Sequence, residues 1–197
     1  MWRMGRFSSN DTSRRRERPT ERKPPRPIDA ARLNEMALAY VARFATSGGK
    51  LADYLKRKLR ERGWEGEGEA DIAGIVARFA ELGYVDDAGY ARGKAQSLLR
   101  RGYGVRRIDQ ALGAAGIAEE VREDARGSEG ERRRAALVMA RKRRFGPFGE
   151  IGRLDPALRE KQTAAMLRAG HPLAHVRAVV NAVSEQAVEE WIDEADD

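Results

Sequence analysis

Between residues 28 and 183 the apolar positions recur at intervals of three and four, with no sustained alternation of the kind a half-buried strand shows. Ala37, Leu38, Val41 and Phe44 mark one helix, which the pattern ends at Thr46-Ser47-Gly48-Gly49. Leu51, Leu55 and Leu59 mark a second, ended by Gly63. After the polar loop from Glu65 to Glu69, a third runs through Ile72, Ile75, Val76, Phe79 and Leu82 to Gly83. Glycine suits such ends because it enters the left-handed backbone region at no steric cost. The pattern therefore predicts a unit of three helices.

That unit returns along the chain. Leu59 and Gly63 are matched 53 residues on by Leu112 and Gly116, and a further 54 on by Met166 and Gly170. Leu55 and Ile108 keep the first offset, and Val176, Val179, Val180 and Val183 have the spacing of Ile72, Ile75, Val76 and Phe79. Helical periodicity alone is the competing explanation, since an apolar residue four before a glycine is a common helix ending. Read as a repeat, the chain is all-α. Three tandem three-helix repeats occupy residues 29–84, 85–128 and 129–184, and an array of this kind buries each unit mainly on its neighbours and grows elongated and curved.

Charge adds two ends to this picture. The chain of 197 residues has a net charge of +7, a sequence pI near 10.0 and 35% charged residues. Residues 1–27 hold nine basic against three acidic side chains and close on Lys23-Pro24-Pro25-Arg26-Pro27, so residues 1–28 are expected to be a disordered basic tail. Residues 184–197 carry seven acidic and no basic residues, so 185–197 is set apart as an acidic C-terminal end that folds back on the basic array and screens it. The array itself keeps a balance of +8. With Cys 0, disulfides and thiol chemistry are excluded. No apolar run approaches the roughly 20 residues of a membrane helix, and the Arg-rich start lacks the apolar stretch of a secretory signal. A soluble, cytoplasmic protein is expected.

The most specific stretch lies in the middle: Phe79-Ala-Glu-Leu-Gly-Tyr-Val-Asp-Asp-Ala-Gly-Tyr-Ala91, then Leu98-Leu-Arg-Arg-Gly-Tyr-Gly-Val-Arg-Arg-Ile108, then Leu112-Gly-Ala-Ala-Gly-Ile117. This resembles the regulatory protein RecX family in Gly83, Tyr84, Asp86, Asp87, Tyr90, Gly102, Gly104, Ile108 and Gly116, with Val85 where the family has leucine. The likeness runs over roughly residues 35–183, and Phe145-Gly-Pro-Phe-Gly149 stands in place of a shorter family connection. The resemblance implies three tandem three-helix units lying in the groove of a RecA nucleoprotein filament. It also implies a monomeric, non-enzymatic regulator that reduces ATP hydrolysis, strand exchange and co-protease activity, with no cofactor, no metal and no membrane partner. A basic helical protein that binds DNA directly, without a recombinase, is the alternative.

Individual residues divide between structural and binding roles. Asp86-Asp87 could suggest catalytic or metal-binding carboxylates, but with no third ligand nearby an acidic cap on a helix beginning near Ala88 accounts for them better. Tyr84 and Tyr90 flank that turn and are expected to pack at a unit junction. Arg100, Arg101, Arg106 and Arg107 bracket Gly102-Tyr103-Gly104, where solvated surface competes with contact to an acidic filament face or to DNA phosphates, and Tyr103 could stack on a base. Arg134, Arg141 and Arg144, in the basic run from Arg132, share one helical face and suggest a basic ridge, again against a plain solvated face. His171 and His175 have the spacing of a zinc pair, yet Pro172 follows the first and no third ligand is evident, so they are expected to flank a helix start. No phosphate loop or nucleophile motif is present.

Overall fold

The computed structural model describes residues 26–149 and 155–195. Among these, ten α-helices and one 3-10 turn form and no strand does, apart from an isolated bridge between Ile28 and Trp64. The helices are α1 (Ala30–Val41), α2 (Gly48–Arg62), α3 (Ile72–Glu81), α4 (Asp87–Arg100), α5 (Val105–Gly113), α6 (Glu119–Asp124) and α7 (Glu129–Arg143). The turn Gly146–Phe148 follows, then α8 (Pro156–Arg168), α9 (Leu173–Val180) and α10 (Glu185–Asp193).

Capping sets most of the starts. Asp29, Ser47, Asp71, Asp86, Ser128, Asp155 and Ser184 each accept a hydrogen bond from a first-turn amide, and Ser128 with Glu131 closes a reciprocal capping box. Such a cap supplies about 1 kcal/mol by satisfying an amide the helix cannot. The ends are equally explicit. After α3, α4, α5 and α8 an amide reaches back five residues, from Tyr84 to Phe79, Tyr103 to Leu98, Ile117 to Leu112 and His171 to Met166. Gly83, Gly102, Gly116 and Gly170 supply the positive φ that this turn requires.

The apolar residues bury in three clusters that follow chain order. The first joins Ile28, Leu33, Leu51, Leu55, Ile75 and Phe79; the second Ala95, Leu98, Ile108, Leu112 and Ala135; the third Ala136, Met139, Met166, Val176, Val179, Val188 and Ile192. Each leucine or isoleucine sealed this way contributes roughly 1.5–3 kcal/mol. Helix α7 belongs to two clusters, because Ala135 faces α4 while Ala136, Met139 and Ala140 face α9. Its buried side is mostly alanine, which lets neighbours approach closely.

Four expectations change. Ile28, expected in the basic tail, is fully buried, and its amide and carbonyl pair with Gly63 and Glu65, so the folded part begins before residue 29. The rest of that tail, up to residue 25, lies outside the described residues, as does 150–154 of the long connection. Gly48 and Gly49 begin α2 instead of ending α1. The acidic end is a helix of the third cluster as far as Asp193, since Val188 and Ile192 recur four apart on its inner side. Val183, matched to Phe79 by spacing, lies beyond α9 and is 94% exposed, because α9 stops at Val180.

The units join twice at a close approach of glycine backbone, through side-chain hydrogen bonds at the first junction and backbone hydrogen bonds at the second. At the first junction the Ser47 hydroxyl, at the start of α2, donates to the Ala115 carbonyl at 2.6 Å, and a Cβ on Gly49 would stand 2.7 Å from the Cα of Gly116. Asp87 accepts from the Gly48 amide at 2.8 Å, so this carboxylate serves the neighbouring unit while Asp86 caps its own helix. At the second junction the Gly104 amide, at the start of α5, donates to the Ala169 carbonyl at 3.0 Å and the Arg106 amide to Gly170 at 3.2 Å. A Cβ on Gly104 would stand 2.3 Å from the Gly170 carbonyl carbon. Ala115 and Ala169 are 54 residues apart, the offset of the glycines that follow them.

Both histidines are built into the third unit. Pro172 is the N-cap of α9. His171 is buried and donates from Nε2 to the Gly102 carbonyl at 3.0 Å; burial pushes its imidazole below the usual value of 6.5. His175 bonds from Nε2 to Glu129 at 2.8 Å and meets the Trp191 ring edge-on, which ties α9 and α10 to the start of α7. Burial opposes ionisation of Glu129, but hydrogen bonds from Arg132, Arg133 and His175 outweigh it and hold the carboxyl at about 2.

The close approach at the second junction is open to direct measurement. Gly104→Ala keeps the amide yet forces its methyl into backbone, and is expected to destabilise by about 1–3 kcal/mol in urea unfolding. Gly93→Ala, in open space within α4, is expected to stabilise by about 0.5–1 kcal/mol. Equal effects would show that the close approach is not a constraint. A second prediction concerns acid. Below pH 6.5 the unfolded His171 takes up a proton that the folded form resists, so the melting temperature falls as pH drops through that region, and His171→Gln flattens the fall. A separate loss, from Glu129, begins near 4.5 and is complete near 2.

Candidate functional site

The second junction determines where its cationic side chains point. Leu98 and Leu99 bury the end of α4, and the turn after them gives the Gly102 carbonyl to His171 and the Gly104 and Arg106 amides to the α8–α9 turn. With the backbone turned inward, Arg101, Tyr103 and Arg107 line a groove of about 440 Å³. Its other wall is Met139, Lys142 and Arg143 of α7 with Ala165 and Arg168 of α8. A second recess of about 360 Å³ shares Arg101, Tyr103 and Arg107 and continues to Lys94 and Gln110. Tyr103 is half-buried, and the Arg101 guanidinium lies 5.4 Å from its ring centroid, within cation–π reach.

The two recesses bring together Lys94, Arg101, Arg107, Lys142, Arg143 and Arg168 with no carboxylate in either lining. Among the described residues none of these six is ion-paired. The rest of the basic run on α7 differs: Arg132 and Arg133 pair with Glu129, and Arg141 pairs with Glu189 of α10 while lying over the Phe148 ring. Lys142 and Arg143 are thus the α7 cations left to the groove.

The sequence-derived candidates separate accordingly. Arg101, Tyr103 and Arg107 meet in the groove. Arg106 is exposed beside it without lining it. Arg100 and Arg134 lie together in a different groove, between α4 and α7, with Glu131 and Val138. Arg141 is held by α10, and Arg144 takes the left-handed position that ends α7, so 134, 141 and 144 do not act as one ridge. Asp86, Asp87, Gly102, Gly104, Ile108 and Gly116 serve the junctions and the second core. Tyr90 packs on that core with Lys50 of α2 over its ring; Tyr84 touches Phe79 but stays 54% exposed, so only Tyr90 packs as the junction reading expected. Lys94, Lys142, Arg143 and Arg168 were not singled out as site residues. For Lys142 and Arg143 a signal existed: they follow buried Met139 by three and four and so overhang the same face.

The comparisons agree with this architecture. The family model described as RecX, second three-helix domain, matches residues 86–125, which span α4, α5 and α6. Regulatory protein RecX of Myxococcus xanthus is 33% identical over 172 residues, covering 81% of this chain and 89% of the relative. Regulatory protein RecX of Thermus thermophilus is 37% identical over 92 residues, covering 47% of this chain and 61% of the relative. The crystal structure of RecX from Lactobacillus salivarius superposes with a TM-score of 0.57 at 19% identity, over 85% of this chain and 96% of that one, and supports the fold alone. With its motif, helical units and near full-length match to the Myxococcus protein, this chain belongs to the RecX family of regulatory proteins.

Proposed function

We propose that this chain binds the RecA nucleoprotein filament, lies in its groove, and restrains ATP hydrolysis, strand exchange and co-protease activity during DNA repair and the SOS response. The observation that carries the reading is the 33% identity over 89% of a relative named Regulatory protein RecX. The three core clusters in chain order support it, since an array whose junctions are held by hydrogen bonds and close glycine contacts can touch several neighbouring protomers of a polymer. The charge distribution supports it as well. Arg100, Arg101, Arg106 and Arg107 project around one turn whose amides at 101 to 104, 106 and 107 are hydrogen-bonded, which holds the turn in place while these four residues remain exposed. Against an acidic filament face such groups speed encounter and set register more than they add affinity.

On this reading the protein regulates and does not catalyse, and it works in the cytoplasm as a monomer. Among the described residues no helix is long and apolar enough to cross a membrane.

The test is the DNA-dependent ATPase of RecA. Substoichiometric protein is expected to slow it, and Arg106→Glu with Arg107→Glu is expected to weaken the inhibition at least severalfold while far-ultraviolet circular dichroism stays the same. A folded wild-type sample without effect at any ratio would overturn the reading; inhibition untouched by the double reversal would remove these two residues from the contact.

A further inference from the structure

We propose that the recess at the first junction seats a protein partner, taking one of its apolar side chains together with a neighbouring carboxylate. The inference rests on the reading that this partner is a RecA protomer, and adds which face of the chain the protomer touches.

The recess has a volume of about 460 Å³ and straddles the joint. Ala45, Thr46, Gly83 and Tyr84 reach it from the two links that follow α1 and α3, while Tyr90 and Gly93 reach it from α4 of the second unit. The same links leave large apolar side chains in the open: Phe44 directly before Ala45, Leu82 directly before Gly83, and Tyr84 itself. A lone exposed apolar residue is ordinary, but three gathered at the edge of one concave site form a surface that gains from being covered. Gly93 points the same way on separate grounds. Glycine weakens a helix interior, and at Gly49 and Gly104 a distant segment of this chain presses close enough to require it. At Gly93 the backbone is ordinary helix, and nothing in the chain comes within 4 Å of where a Cβ would stand. The space it keeps open faces outward, toward a chain that approaches from outside.

Charge decides the class of occupant. Asp86 and Lys94 are the charged residues of the lining, and the Asp86 carboxylate is already taken by the Gly89 amide at 2.8 Å. Lys94 is left without an ion pair among the described residues, so a single carboxylate answers the site. A row of phosphates would meet one cation amid apolar surface. A protein segment fits better, with an apolar side chain against the Tyr84 and Tyr90 rings and an aspartate or glutamate beside it for Lys94.

Binding of the labelled full chain to preformed RecA filaments, followed by fluorescence anisotropy, tests this. Gly93→Gln, which fills the open space with a good helix former, is expected to weaken filament affinity at least severalfold while the melting temperature holds or rises. Leu82→Ser is expected to act in the same direction. Lys94→Met should also cost several-fold, and Lys94→Arg should restore the affinity. Ala73→Gln, on an exposed position of α3 outside the recess, should cost less than twofold. If Gly93→Gln lowers the melting temperature, Leu82→Ser carries the expectation alone. Losses at Gly93 and Leu82 no larger than at Ala73, or a silent Lys94→Met, would overturn the proposal and leave the RecA reading standing, because the wild-type chain still binds. A wild-type chain that does not bind the filament would overturn both. Two further results would reassign the recess and so overturn the proposal: equal losses for a naked oligothymidylate, which would give it to nucleic acid, and a wild-type dimer in sedimentation that Gly93→Gln dissociates, which would give it to a second copy.

Discussion

The architecture depends on how closely two stretches of backbone can approach where the units meet. At the first junction the Ser47 hydroxyl, ahead of α2, donates to the Ala115 carbonyl beyond α5, and at the second the Gly104 amide, ahead of α5, donates to the Ala169 carbonyl beyond α8. A helix ends with carbonyls that lack intrahelical partners, and burying them unpaired would be costly. The joint satisfies one from outside the helix, and glycine lets the two chains come close enough beside that bond. Gly49 faces Gly116, and Gly104 faces Gly170. Side chains then add what distinguishes the joints: Asp87 at the first, His171 at the second.

This constraint explains what was legible in the sequence and what was not. Apolar spacing located helices that bury several large side chains, such as α2 through Leu51 and Leu55 and α9 through Val176 and Val180. The glycines at 63, 116 and 170 stood out because a positive φ is a local demand that one residue meets. What the pattern could not supply was the reason for Gly49 and Gly104, whose φ is ordinary; their need is imposed by a chain segment more than sixty residues away. Gly48-Gly49 therefore read as a stop although it opens a helix. Residues 185–197 were set apart as polar because acidic residues outnumber the two that anchor α10, and two apolar positions are a weak signal until the partner helices are in place.

The candidate site shows the same division. Arg101, Tyr103 and Arg107 could be found because they bracket a glycine-rich turn. The facing wall could not be chosen from the basic run on α7, because its arginines and lysine look alike until neighbours claim some of them. Glu129 lies one turn before Arg132 and Arg133, so their neutralisation is at least local; the loss of Arg141 to Glu189 depends on α10 folding back across 48 residues. Arg168 has no sequence context that links it to α4 or α7 at all.

Helix α10 has a consequence for how the molecule meets anything charged. By engaging Arg133 through Trp191 and Arg141 through Glu189, it shields one flank of a helix that would otherwise radiate positive potential in all directions. Lys142 and Arg143 on the other flank are left to shape the field. Positive charge on α7 therefore collects in its last turn beside the second junction, where it also complements the negative end of the helix dipole. An acidic segment that looks like a counterweight to the basic array is, in the folded chain, a blinder that gives the array a front.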